Sequence, residues 1–148
     1  MPYEYKVIKR VEFVDTDMAG IMHFSNFLRF MEITEHAFIR SLGFSIHSEI
    51  DGIKTGWPRV HVECDFYKPV YCEDEVEIHL RVAEKKEKAV SYRFTFRKII
   101  DGKSGDIIAE GRSTAVCIGF DNDGKIQGAI PIPSAFAEKI QQAPADLF

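Results

Sequence analysis

A chain of 148 residues, 45% hydrophobic and 28% charged, has the size and composition of one globular domain spanning 1–148. Its net charge of −4, from 19 basic and 23 acidic residues without a long basic block, argues against a nucleic-acid surface. No apolar run approaches the roughly 20 residues that cross a bilayer, the N-terminal MPYEYKVIKRVEF is charged and alternating rather than signal-like, and Cys64, Cys72 and Cys117 cannot all pair within one chain. A cytoplasmic protein with reduced thiols is expected.

Residues 3 to 14 alternate weakly and predict a strand. Asp15 to Gly20 break that pattern, and a helix is predicted over residues 24 to 42. Ser25 or a close neighbour is placed to cap its start and Gly43 to cap its end. Phe24, Phe27, Leu28, Met31, Phe38, Ile39 and Leu42 form an apolar stripe, which Phe30, Ile33 and Ala37 widen. Arg29, Glu32, His36 and Arg40 are left as the continuous polar strip. A helix this apolar is buried on most sides, so the rest of the chain must wrap it.

Four more strands are predicted: WPRVHVECDFY (57–67), EVEIHLRVAE (75–84), AVSYRFTFRKI (89–99) and DIIAEGRSTAVCIGF (106–120). The turns KPVYCED, EKKEK and DGKSGD separate them. Alternation with one polar face means an antiparallel sheet covered on one side. PSAFAEKIQQ predicts a short C-terminal helix. The class is α+β, and the order of elements fits the hotdog architecture, a long central helix wrapped by a curved antiparallel sheet of about five strands. Two such sheets joined edge to edge would protect their exposed edges, so a homodimer or homotetramer is expected.

The stretch VEFVDTDMAGIMHFSNF places Asp15 and Asp17 between a strand and a helix start. A helix start presents unpaired N–H groups and a partial positive end, suited to an oxyanion. A carboxylate beside it, Asp17, has the means to activate water or to attack a carbonyl. Ala19-Gly20 lets the backbone approach closely. The competing reading is that both aspartates only shape the turn through bonds to the backbone.

The segment VEFVDTDMAGIMHFSNFLRFMEITEHAFIRSLGF, continued by VECDFYKPVYCEDEVEIHLRV, resembles the signature of the 4-hydroxybenzoyl-CoA thioesterase family of hotdog proteins, with its D-x-D-x-x-G-[IV] motif. The resemblance implies hydrolysis of an acyl-CoA. It implies Asp17 as the catalytic carboxylate and the Phe24 backbone N–H as the group that polarises the thioester carbonyl. It implies substrate contacts at Gly20, His23 and Asn26, and coenzyme A phosphate contacts at Lys86 and Lys88 in the turn EKKEKAV. His23 stands where relatives often carry Tyr or Trp, which leaves it either bonding substrate or packing on the loop. Glu32 matches an acidic position, or simply pairs with His36 along the helix face. Glu35 replaces an Arg on the apolar stripe and is the second candidate carboxylate, since some relatives use a helix glutamate. Trp57 and Pro58 line an acyl pocket, or belong to the core or a subunit contact.

Other motifs fail on spacing. Gly102-Lys103-Ser104 lacks the upstream P-loop glycine, which is Arg97 here. A calcium loop around Asp121-Asn122-Asp123-Gly124 would begin at Gly119 and end at Ile130. His23, His36, His47, His61 and His79 form no ligand motif, so neither a metal nor a cofactor is expected. There is no G-x-S-x-G elbow. Three functions follow in order: acyl-CoA thioesterase, thioesterase on an acyl carrier protein, and a non-catalytic acyl-CoA-binding module.

Overall fold

In the computed structural model, which describes residues 2–47 and 49–148, the first strand is β1 (Glu4–Arg10). It ends earlier than the predicted 3–14 because residues Phe13–Asp15 form a single 3-10 turn. The long helix is α1 (Phe24–Ser41). It is followed by β2 (Glu49–Ile50), β3 (Ile53–Gly56), β4 (Arg59–Phe66), β5 (Glu75–Lys85), β6 (Ala89–Ile100), β7 (Lys103–Val116), β8 (Ile118–Phe120), β9 (Ile126–Ala129) and a four-residue helix α2 (Ser134–Ala137). A five-stranded antiparallel sheet in the order β1-β5-β6-β7-β4 holds the strands that alternation predicts. A second small sheet, β2-β3-β8-β9, is not visible in the sequence, because strands of two to four residues show no period.

The end of α1 follows the predicted design. Gly43 lies just past it, with its N–H donating to Arg40 O at 3.0 Å and the Phe44 N–H donating to Ile39 O at 3.2 Å. These are the two bonds of a Schellman end. The buried face is shifted from the predicted stripe: Phe27, Phe30, Met31, Thr34, Glu35, Phe38 and Ile39 are buried, while Phe24 at the first turn is exposed. Phe38 meets Tyr5 and Tyr92, and Phe27 meets Phe96 edge to face at 5.3 Å. The inward residues of β5 (Val76, Ile78, Leu80, Val82) and of β6 (Val90, Tyr92, Phe94, Phe96) complete one continuous core.

Two predicted elements are corrected. The segment 106–120 is two strands, because the chain changes sheets at Cys117: its N–H donates to Lys88 O and its C=O accepts from Ile130 N–H. The C-terminal helix stops at Ala137. Beyond it the Lys85 ammonium donates to the carbonyls of Ala137 (3.0 Å) and Ile140 (3.1 Å), and Ala143 N–H donates to Val82 O. Competing bonds to β5 replace further helical turns.

Wrapping is incomplete at one edge. The helix covers β1, β5 and β6, but the inward apolar residues of β4 remain open: Val60 is 65%, Val62 45% and Phe66 47% exposed. The approach of α1 to β7 needs a glycine. A Cβ on Gly111 would lie 2.6 Å from the Met31 sulfur, and Met31 is itself buried. Gly111→Ala is therefore expected to cost about 1–3 kcal/mol through overpacking. Chemical denaturation checks this, and an unchanged midpoint would mean that Met31 relocates freely.

Candidate functional site

The two aspartates of the turn have opposite environments. Asp15 is 3% exposed. Its Oδ2 accepts from the Glu12 N–H at 2.9 Å, and its Oδ1 faces the Arg29 guanidinium at 3.4 Å. Its backbone carbonyl accepts from the His23 N–H at 2.9 Å and from Asn26 Nδ2 at 2.8 Å. Strand end, turn and first helical turn are thereby tied to one residue. Isolated bridges from Thr16 to Met22 and from Ile21 to Tyr71 close the loop.

Asp17 is exposed at the tip. Its Oδ1 accepts from the Ala19 N–H at 2.8 Å, and its C=O accepts from the Gly20 N–H at 2.9 Å. Gly20 has φ +84°, a conformation costly for a residue with a Cβ, so the tight return that brings Asp17 back toward the helix depends on it. The helix cap is His23 rather than Ser25. The His23 Nδ1 accepts from the Ser25 N–H at 3.3 Å and lies 2.8 Å from Ser25 Oγ. An imidazole acceptor at the cap position does the work usually done by a hydroxyl or carboxylate. Its ring stacks on Phe24, with centroids 4.4 Å apart. His23 thus caps the helix and packs against its first residue.

The Phe24 N–H has no acceptor among the described residues. It is one of the unpaired donors of a helix start. Asp17, Phe24 and Phe27 line a cleft of about 450 Å³ with Ile21, Met22 and the segment Phe66–Pro69. Sequence reasoning missed this last segment, which follows β4 and is brought to the turn only by sheet pairing. Lys68 there bonds Asp106 at 2.8 Å, and that contact holds the Asp106 carboxyl below its usual range.

The remaining predicted site residues do not line this cleft. The Asn26 amide donates to the Asp15 carbonyl. Trp57 packs on Phe136, centroids 5.1 Å apart, and lines a different cleft, of about 530 Å³, with Pro58, His36 and Phe120. Lys86 and Lys88 sit in the β5–β6 hairpin, away from the cleft lining, and the Lys86 ammonium is 3.6 Å from Glu84. Glu35 is buried and paired with Arg59; Glu32 lies 3.9 Å from the same guanidinium. Burial lowers the affinity of His36 for its proton, opposed by Glu32. Burial, aided by Asp65, pushes the Cys64 thiol up to about 12, which keeps it a thiol at neutral pH and unsuited to nucleophilic attack.

Residues 11–140 match the model of the thioesterase-like superfamily, and the chain belongs to that superfamily, with the hotdog fold. A 1,4-dihydroxy-2-naphthoyl-CoA hydrolase of Thermosynechococcus vestitus is 25% identical over 138 residues, covering 93% of this chain and 89% of its own. The crystal structure of a gentisyl-coenzyme A thioesterase shares 31% identity, with a TM-score of 0.76 over 93% of this chain and 100% of that one. A mutant 4-hydroxybenzoyl-CoA thioesterase complexed with 4-hydroxybenzoyl-CoA superposes with a TM-score of 0.78 at 20% identity, over 95% and 100% of the two chains. Its likeness speaks to the fold alone. These relatives are thioester hydrolases.

The contrast within the turn is testable. Asp15→Ala removes the buried acceptor of the Glu12 N–H and leaves that donor unpaired, at an expected cost of about 1–3 kcal/mol. Thermal unfolding would register it, and a variant as stable as the parent would show that the junction is held by other bonds.

Proposed function

We propose that the protein is an acyl-CoA thioesterase with Asp17 as its catalytic carboxylate. The carrying observation is that Asp17 and the unbonded Phe24 N–H belong to one cleft. The Phe24 N–H stabilises the oxyanion that forms as the thioester carbonyl is attacked. Asp17 takes the proton of the attacking water, the C–S bond breaks, and coenzyme A leaves as a thiolate that is then protonated. In the nucleophilic variant of this scheme Asp17 attacks first and water resolves a mixed anhydride. The rings of Phe24, Phe27, Phe66 and Tyr67 around the cleft suit an aromatic or extended apolar acyl group. Lys86 and Lys88 are the cations proposed for the phosphates of coenzyme A. Glu35 remains the second candidate carboxylate, and its pairing with Arg59 favours Asp17 over it.

Asp17→Asn is expected to lower kcat about 100- to 10,000-fold with thermal stability unchanged, measured as thiol release from 4-hydroxybenzoyl-, gentisyl-, dihydroxynaphthoyl- and aliphatic CoA thioesters. Near-normal turnover in the variant would eliminate Asp17, and loss in Glu35→Gln instead would move the role to the helix. After single turnover in labelled water, label in the Asp17 carboxylate would establish the nucleophile route with water attacking the Asp17 carbonyl carbon, whereas the base route delivers all label to the acid product.

We further propose that the working unit is at least a homodimer joined along β4. This edge strand is eight residues long, and its inward apolar residues are uncovered. Antiparallel pairing of two copies across a twofold axis satisfies both its backbone and its apolar face. Light scattering is expected to give twice the 16.9 kDa chain mass or a multiple of that. A monomer at micromolar concentration would remove the proposal.

A further inference from the structure

The outer face of the five-stranded sheet, turned away from α1, carries a row of like charges. Strand register sets Arg81 of β5, Arg93 of β6 and Arg112 of β7 directly opposite one another, with Glu4 at the β1 end and Glu63 at the β4 end. Like charges facing one another across strands are destabilising. The acids at the two ends do not relieve the centre. Glu63 is 3.3 Å from His61, and Glu4 is 3.1 Å from His79 and 3.8 Å from Arg81. Among the described residues, Arg93 and Arg112 have no carboxylate within ion-pair distance, and the Arg93 guanidinium lies over the Phe148 ring, 4.8 Å from its centroid. The Arg81 Nε is buried without a hydrogen-bond partner among the described residues, whereas buried polar groups nearly always have one. Repelling guanidinium groups and an orphaned buried donor together call for an anion.

A cavity of about 230 Å³ opens on this row. Arg81, Arg93 and Arg97 line it, against the single lining carboxylate of Glu110. Arg97 directs one N–H to the Gly105 carbonyl at 3.0 Å, and Glu110 lies 3.5 Å from the Tyr67 hydroxyl. His79 also lines the cavity. Burial, reinforced by Arg81 and opposed by Glu4, lowers its affinity for a proton, so it adds little charge at neutral pH. Around the rim, register places Lys6 opposite His79, Glu4 opposite Arg81, Glu77 opposite Arg97 and Arg112 opposite Arg93, two acids against two bases. The wall is therefore net positive. A neighbouring cavity toward β4 is lined by Glu63, Asp65 and Glu110 as well as by Arg93 and Arg112. Its carboxylates repel an anion and confine it to the β5 and β6 side. Sites for drug-sized ligands occupy roughly 300–1,000 Å³, so the group seated here is small. Guanidinium forks match phosphoryl oxygens bidentately. We infer that Arg81, Arg93 and Arg97 bind the phosphoryl group of a small phosphorylated anion on the outer face of the sheet. The Asp17 cleft opens on the face that holds α1, where Phe27 lines it, so the two sites are separate and this one does not rest on the reading of Asp17.

Titration calorimetry with pyrophosphate, and separately with ADP, at one ionic strength set with chloride, tests the site in the parent protein and in two variants. Arg93→Gln is expected to weaken pyrophosphate binding at least about tenfold, and Lys86→Ala/Lys88→Ala to leave it unchanged. Thermal unfolding is the second readout. Without ligand, Arg93→Gln should be at least as stable as the parent, because it removes the centre of the repelling row. Pyrophosphate should raise the unfolding temperature of the parent and not that of the variant. Thioester hydrolysis by Arg93→Gln should stay at the parental rate. ADP binding more tightly than pyrophosphate assigns the site to a nucleotide, and equal or weaker binding assigns it to the phosphate group alone. Absence of binding by both probes, binding that survives Arg93→Gln, binding lost with the two lysines, or a ligand-free Arg93→Gln less stable than the parent overturns the inference.

Discussion

The carboxylate and carbonyl of Asp15 are the constraint on which the site depends. A buried charge is tolerated only when hydrogen-bonded and paired, and the Asp15 carboxylate meets that demand with the Glu12 N–H and the Arg29 guanidinium, while its backbone carbonyl accepts from the His23 N–H and the Asn26 amide. Glu12 caps the 3-10 turn that follows β1, and His23, Asn26 and Arg29 belong to α1 and its cap, so the turn and the start of α1 have one mutual arrangement. Asp17, two residues on, is held at the rim of that junction by the Asx bond to Ala19 and the return through Gly20. The two aspartates differ in kind: one fixes the backbone, and the other is left exposed at the cleft.

The second constraint is the imperfect wrap. One helix covers the width of about three strands, and here those are β1, β5 and β6. The sheet continues through β7 to β4, where the helix covers less: Met31 lies against Gly111 and Phe27 meets Phe66, but Val60 and Val62 stay open. A chain that needed only stability would have polar residues on that face, yet Val60, Val62 and Phe66 are apolar. The uncovered strip therefore becomes a groove between α1 and β4. The Asp17 cleft sits at its end near the helix start, and the Glu35–Arg59 pair lies farther along. Fold and site are linked by this mismatch between helix width and sheet width.

The polar residues along the helix differ in kind. Thr34 satisfies itself by bonding the Phe30 carbonyl of the preceding turn, an ordinary solution for a buried hydroxyl. Glu35 has no such local partner and draws Arg59 from the start of β4 instead. That contact joins the helix to the edge strand β4, where its cover is thinnest.

Sequence by itself determined the periodic parts. Alternation located β4, β5 and β6 almost to the residue, helical spacing and Gly43 located α1, and the resemblance carried by the D-x-D-x-x-G loop made Asp17 the first candidate. These are local patterns, set by where successive side chains point. The tertiary structure decided what depends on partners distant in the chain. It chose Asp15 over Asp17 for burial, and from Ser25 and its neighbours it chose His23 for the cap. It buried Phe30 and exposed Phe24, because the position of the neighbouring strands, and not the helix period, fixes which face is covered. It brought Phe66–Pro69 to the turn, turned Lys85 inward to the C-terminal segment, and gave Glu35 its cation. Each of those outcomes turns on which groups meet across the fold, and no spacing along the chain carries that information.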